Sequence, residues 1–207
     1  MSRHARIQSS TRIYHIVVKG ADRLRLFEEY ADYQKYLDIL AYYKQECHLE
    51  IFAYCLMSNH VHLLIRHPED ITLQSIFRRI NTTYAGWFNL KYQRTGFLQN
   101  DRFHSEPVED ATYLLTIVKY IHKNPLNAGL EPSIGSSYPW SSYHEYVTAS
   151  PELIDSEFIL SEFGSLKCFQ DFHISANTES EQNCLDVDKI RQRLPDDVAQ
   201  ELIQKIS

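Results

Sequence analysis

Apolar and polar residues alternate at the start of the chain: Tyr14, Ile16 and Val18 take turns with His15, Val17 and Lys19 before Gly20. A period of two in β-branched and aromatic residues predicts a first strand. Over residues 32–47 the apolar positions Tyr36, Ile39, Leu40 and Tyr43 recur at spacings of three and four with no Pro or Gly between them. That spacing predicts an amphipathic helix. Residues 49–57 and 60–65 are strand-like runs separated only by Ser58-Asn59, which predicts an antiparallel hairpin. Residues 73–92 return to helical spacing through Ile76, Ile80, Tyr84, Trp87 and Phe88, with Thr72 placed to cap the first turn. After Gly96, residues 97–108 are expected to run extended back to the sheet. Glu109-Asp110 then opens a helix over 111–123, which Pro125 is expected to stop.

The order strand, helix, strand, strand, helix, strand, helix implies an α+β fold: a ferredoxin-like sandwich with an antiparallel sheet and one added helix. Beyond Tyr138-Pro139-Trp140 the composition shifts. Short apolar clusters mix with acids over 141–165, residues 176–183 read as a linker, and 188–206 resume a helical pattern. The expected division is therefore a main domain over 1–150 and an acidic, mostly helical C-terminal extension over 151–207.

Composition changes this picture in three ways. No apolar run approaches the roughly 18 residues that span a bilayer, and the first ten residues lack a secretory signal's apolar middle, so the chain is expected in the cytoplasm, away from membranes. Cys47, Cys55, Cys168 and Cys184 show no ligand spacing and read as packing residues. The net charge of −6 disfavours nucleic acid only until it is divided along the chain: residues 1–150 carry +1 and residues 151–207 carry −7. A near-neutral domain can present a local basic surface, for which Arg3, Arg6, Arg12, Lys19, Arg23, Arg25, Arg78, Arg79 and Arg102 are candidates.

Two positions carry candidate chemistry. His60 and His62 lie two apart on an expected strand, so both imidazoles leave the same face and can share a metal ion. Two histidines on a solvated strand face are the commoner case, but apolar flanks on both sides place this strand at the centre of a sheet, where unpartnered histidines are costly. Tyr120 and Asn124 stand four apart on the next helix and point the same way. A phenol attacks phosphorus poorly at neutral pH unless charge at the phosphate is stabilised, which a divalent metal can do. A helical tyrosine is otherwise more often half-buried packing, and this chain has 14 tyrosines.

The strings Met57-Ser58-Asn59-His60-Val61-His62-Leu63-Leu64-Ile65 and Tyr120-Ile121-His122-Lys123-Asn124-Pro125 resemble the single-tyrosine HUH transposases of small insertion sequences, most of all the REP-associated tyrosine transposases. The resemblance covers about residues 7–146, including 96–102 and Trp140-Ser141-Ser142-Tyr143, and leaves the acidic tail unaccounted for. It implies that His60 and His62 hold a divalent metal, Mg²⁺ or Mn²⁺, with Asn124 as third contact, and that Tyr120 is the nucleophile. It also implies cleavage and strand transfer of single-stranded or hairpin DNA through a covalent 5′-phosphotyrosine, by a monomer or a homodimer. His122, two residues from Tyr120, faces elsewhere and receives no catalytic role.

Two other classes compete. A non-catalytic nucleic-acid binder on the same fold would stack bases on aromatic residues such as Tyr84, Trp87, Phe97 and Phe103. A histidine-based metal hydrolase would activate water and leave Tyr120 unexplained.

Overall fold

The computed structural model describes residues 8–100 and 102–175. Its elements follow the expected order: β1 (Ile13–Lys19), α1 (Tyr30–Glu46), β2 (Glu50–Met57), β3 (His60–Arg66), α2 (Leu73–Lys91), β4 (His104–Pro107) and α3 (Ala111–Asn127). The strands form one antiparallel sheet in the order β2-β3-β1-β4, the ferredoxin-like α+β arrangement with α3 added. The register sets Lys19 opposite His60, Val17 opposite His62 and His15 opposite Leu64. All three histidines therefore leave one face of the sheet. Gly20 ends β1 because the chain folds back on itself there: a Cβ at this position would lie 2.0 Å from the Leu24 carbonyl oxygen.

The opposite face, with Ile16, Val18, Val61 and Leu63 fully buried, is covered by α1 and α2. Those helices are joined by more than apolar packing. The buried Asp32 carboxylate accepts hydrogen bonds from the Glu28 and Glu29 amides, from Tyr92 Oη and from Lys91 Nζ. Burial alone would raise its pKa, but these donors outweigh that effect and hold it lowered. Tyr84 Oη donates to the Leu26 carbonyl at 2.6 Å from inside the same layer. The α2 helix starts as expected, with Thr72 Oγ1 accepting from the Ser75 amide.

Two stretches depart from the sequence expectation. Of residues 97–108 only β4 is regular strand. Gly96, at φ +93°, turns the chain so that Leu98 and Gln99 first pair with the turn after β1, through the Ala21 amide to the Leu98 carbonyl and a bridge between Gly20 and Gln99. Helix α3 does not stop before Pro125 but continues to Asn127. A proline deprives the carbonyl four residues earlier, that of Ile121, of its N–H partner. Asn124 makes up the deficit, its Nδ2 donating to the Tyr120 carbonyl at 2.9 Å and to the Ile121 carbonyl at 3.4 Å.

After Ser150 the chain keeps packing on this body, and the compact unit extends to Ile174. Asp155 Oδ2 accepts from the Ile51 amide at the β2 edge and pairs with Lys44, while the Asp155 amide donates to the Ile51 carbonyl. Two helices follow a short α4 (Tyr143–Val147): α5 (Ser156–Phe163) sets Phe158 against Phe52 of β2, and α6 (Leu166–Ile174) sets Phe169 against Tyr146. The expected linker over 176–183 and helix over 188–206 lie outside the described residues, as do Cys184, Arg3 and Arg6. Cys47 and Cys55 are buried packing residues, whereas Cys168 is exposed and is not. Among the described residues no helix is long and apolar enough to cross a membrane.

Candidate active site

Strand β3 occupies an inner position of the sheet, with β2 and β1 on its two sides, and α3 crosses the face from which its histidines project. The rings of His60 and His62 meet edge to face with centroids 4.9 Å apart. Tyr120, from α3, stands edge-on to His62 at 5.4 Å and to His15 at 5.8 Å. The two histidines and the tyrosine singled out in the sequence are thus gathered into one ring cluster.

The cluster is drier than a strand face open to water would be. His62 is only 2% exposed and Tyr120 7%, while His60 is half-buried at the rim beside the Ser58-Asn59 turn. Burial, with His60, His15 and Lys19 adding to it, holds His62 well below the ordinary histidine pKa, so its ring is neutral. A neutral imidazole is the form that ligates metals.

Hydrogen bonds orient each ring. His60 Nδ1 donates to Asn59 Oδ1 at 2.7 Å, which leaves Nε2 with its lone pair. His62 Nδ1 shares a 3.0 Å hydrogen bond with His15 Nε2, and the two rings stack at 5.2 Å. With the proton on His62 Nδ1, the Nε2 of His62 carries its lone pair. His15 is the member of the cluster that reading the sequence missed. The available signal was its parity: it alternates with Tyr14 and Ile16, on the same strand face as Val17, and Val17 pairs with His62.

Asn124 stands one helical turn beyond Tyr120. Its amide nitrogen is committed to two carbonyls, which leaves Oδ1 as the atom that could ligate. Among the described residues no group of three or more His, Cys, Asp or Glu could hold a metal ion. An amide oxygen is the kind of donor that could join the two histidines at a hard divalent ion.

The basic candidates scatter. Lys19 lies opposite His60 in register, and Arg23 is exposed in the turn that follows β1. Arg102 is exposed just before β4. Arg12 lies at the other end of β1 and is paired with Glu69. Arg78 and Arg79 are exposed on α2, the helix of the opposite layer. Of the aromatic residues offered for base stacking, Tyr84 and Phe103 are buried and Trp87 is half-buried, whereas Phe97 stands in solvent.

Set beside known proteins, the chain falls in an enzyme class, the DNA transposases. The family model described as "Transposase IS200 like" matches residues 8–124, which include His60, His62, Tyr120 and Asn124. The chain belongs to that family. A protein of Haemophilus influenzae named as a REP-associated tyrosine transposase is 31% identical over 121 residues, covering 52% of this chain and 68% of its own length. A solved structure described as a REP-associated tyrosine transposase bound to a REP hairpin superposes with a TM-score of 0.62 at 19% identity, over 76% of this chain and 96% of that one. That likeness confirms the fold.

Proposed function

We propose that this transposase cuts and rejoins single-stranded or hairpin DNA through Tyr120, with a divalent metal held by His60, His62 and Asn124. The observation that carries the reading is the edge-on placement of Tyr120 against His62, whose Nε2 offers a lone pair when Nδ1 holds the proton shared with His15. The donor set, two imidazole nitrogens and an amide oxygen, suits Mg²⁺ or Mn²⁺ and leaves positions for phosphate oxygens. A divalent ion, when bound, stabilises the charge that builds on the scissile phosphate.

The chain's own residues do the rest. Tyr120 Oη attacks phosphorus, forming a tyrosyl–phosphate bond as the bond to the 3′ oxygen breaks. The phenolic proton leaves and the departing strand takes one up as a free 3′-hydroxyl. Because the new bond is also a phosphodiester, a 3′-hydroxyl from another strand can reverse the step at a new junction without an energy cofactor. His15 and Asn59 fix the ring orientations of the two histidines, and the buried wall around His62 excludes water that would hydrolyse the intermediate. The hairpin named with the structural neighbour is the substrate class this reading adopts.

The test is to incubate the full chain with 5′- and 3′-labelled hairpin DNA in Mg²⁺ or in EDTA. The expected product is a metal-dependent, protein-linked DNA carrying the 5′-phosphate side of the cut, with a free 3′-hydroxyl on the other fragment. Metal-dependent cleavage to free 5′-phosphate ends with no linked protein would instead identify a hydrolase.

A further inference from the structure

On the side of α3 away from Tyr120, a buried chain of hydrogen bonds runs from the edge of the sheet to α6, the last of the described helices. Ser142 Oγ accepts from the Tyr54 amide at 2.9 Å and lies 2.8 Å from His122 Nε2. His122 Nδ1 lies 2.9 Å from His173 Nε2, and His173 Nδ1 lies 2.8 Å from the Phe169 carbonyl oxygen. Ser142, His122 and His173 are all fully buried.

A single carbonyl fixes every proton in the chain. A carbonyl oxygen only accepts, so His173 Nδ1 donates to Phe169 and His173 Nε2 accepts from His122 Nδ1. His122 Nε2 then accepts from the Ser142 hydroxyl at 2.8 Å, in preference to the Tyr54 carbonyl, which lies 3.2 Å from the same oxygen. The arrangement has the order of a serine–histidine relay, yet the hydroxyl is sealed from solvent and offers no nucleophile to a substrate. Its consequence is mechanical. The β2 backbone, Ser142, α3 and α6 are connected through one consecutive set of directional bonds.

Aromatic rings set this chain in place. Tyr143, Tyr146 and Phe169 surround His122 at centroid distances of 5.6, 5.6 and 6.0 Å, and Phe169 packs on His173 at 4.1 Å. Phe172 of α6 lies under the Lys119 ammonium at 4.7 Å, one turn before His122 on α3. Lys119 and His122 therefore form one stripe of α3 held by α6, while Tyr120 projects from another stripe toward the His15 and His62 rings. Two residues apart on a helix is a rotation of about 200°.

We infer that His122 and His173 are positioning residues for Tyr120, and that α6 belongs to the working unit of the transposase because it fixes the rotation of α3. The geometry makes this sensitive. A tyrosine hydroxyl sits roughly 8 Å from its helix axis, so a rotation of about 10° displaces it by about 1.4 Å, and misplacement of about 1 Å can cost a hundredfold in rate. The inference rests on the proposed role of Tyr120, and the test separates the two.

His173→Leu fills the same space without hydrogen bonds, and His173→Gln restores an acceptor for His122 Nδ1–H. With hairpin DNA in Mg²⁺, single-turnover adduct formation by the full-length His173→Leu protein should fall at least tenfold, with the DNA dissociation constant within twofold of the parent. His173→Gln should regain at least a third of the parent rate. Hydrogen exchange of the α3 amides should quicken in His173→Leu while β1 and β3 exchange as in the parent. This last readout holds even if the parent cuts no DNA, an outcome that would remove the nucleophile assignment alone. A folded His173→Leu protein with parental adduct rate, or with unchanged exchange in α3, would refute the positioning role. So would a loss of rate that tracks an equal loss of DNA binding. Should His173→Leu fail to fold, a His173→Gln protein that folds but stays as slow as Ser142→Ala would count against the relay, and one at the parental rate beside a slow, folded Ser142→Ala would support it.

Discussion

An imidazole binds a metal only through an unprotonated nitrogen, so the partners of the other nitrogen decide what each histidine can do. Asn59 and His15 hold that second position for His60 and His62. His15→Ala should therefore weaken Mn²⁺ binding by roughly 10- to 100-fold while both proposed histidine ligands remain. Calorimetry that finds the parental affinity in His15→Ala would show that the His15 contact is packing only. The His60 and His62 pair was legible in the sequence because a spacing of two on a strand fixes a common face. His15 was not, because strand parity says which residues share a face only once the order of strands is known. Here that order sets β1 beside β3, and no local pattern in residues 13–19 states it.

Helix α3 shows where local rules meet compensation. Pro125 was expected to end it, and the rule is physically sound, since the Ile121 carbonyl does lose its backbone donor. The amide of Asn124 replaces that donor, and the helix carries on to Asn127. The signal was present as the Asn124-Pro125 pair, but its meaning depends on a rotamer. Asn124→Ala should destabilise the fold by about 1 kcal/mol through the lost hydrogen bonds, and by less in a Pro125→Ala background, where a backbone N–H returns. Equal losses in the two backgrounds, measured by urea unfolding, would mean that Asn124 does not act as the surrogate donor. The contact of α6 with α3 has its own signature. Burial, with Lys119 and Lys123 adding to it and the Phe169 carbonyl opposing it, lowers the His173 pKa from 6.5 to about 3. A proton then binds the unfolded chain more readily than the folded one. This contribution to stability is complete above pH 6.5 and shrinks by about 1.4 kcal/mol per pH unit as pH falls from there toward 3. Between pH 7.5 and 5.5 the parent should lose about 1.4 kcal/mol more than His173→Gln, and parallel pH profiles would contradict the buried, neutral state of the ring.

For the whole molecule, the strand and helix order was readable from periodicity and gave the ferredoxin-like sheet. Periodicity could not show how far the body extends. Helices α5 and α6 are too short for a period to register, and their polar anchors, Asp155 on β2 and His173 on His122, are long-range contacts. Truncation after Ser150 would strip both helices from Phe52, Tyr146 and His122, and should give a protein that unfolds at a markedly lower temperature. Truncation after Ser175 removes seven acidic and four basic residues and should give slightly tighter non-specific DNA binding at low salt. Similar melting temperatures for the two truncations would place α5 and α6 outside the cooperative unit. The central claim, that this transposase joins DNA to itself through Tyr120, meets its most direct test in Tyr120→Phe, which deletes one oxygen and leaves the ring packed against His62. With hairpin DNA and Mg²⁺, the parent should yield a protein–DNA adduct whose linked peptide maps to Tyr120, and Tyr120→Phe should bind the same DNA and form none. An adduct of undiminished yield in Tyr120→Phe, or a linked peptide from the parent that maps to another residue such as Tyr113, would contradict the account.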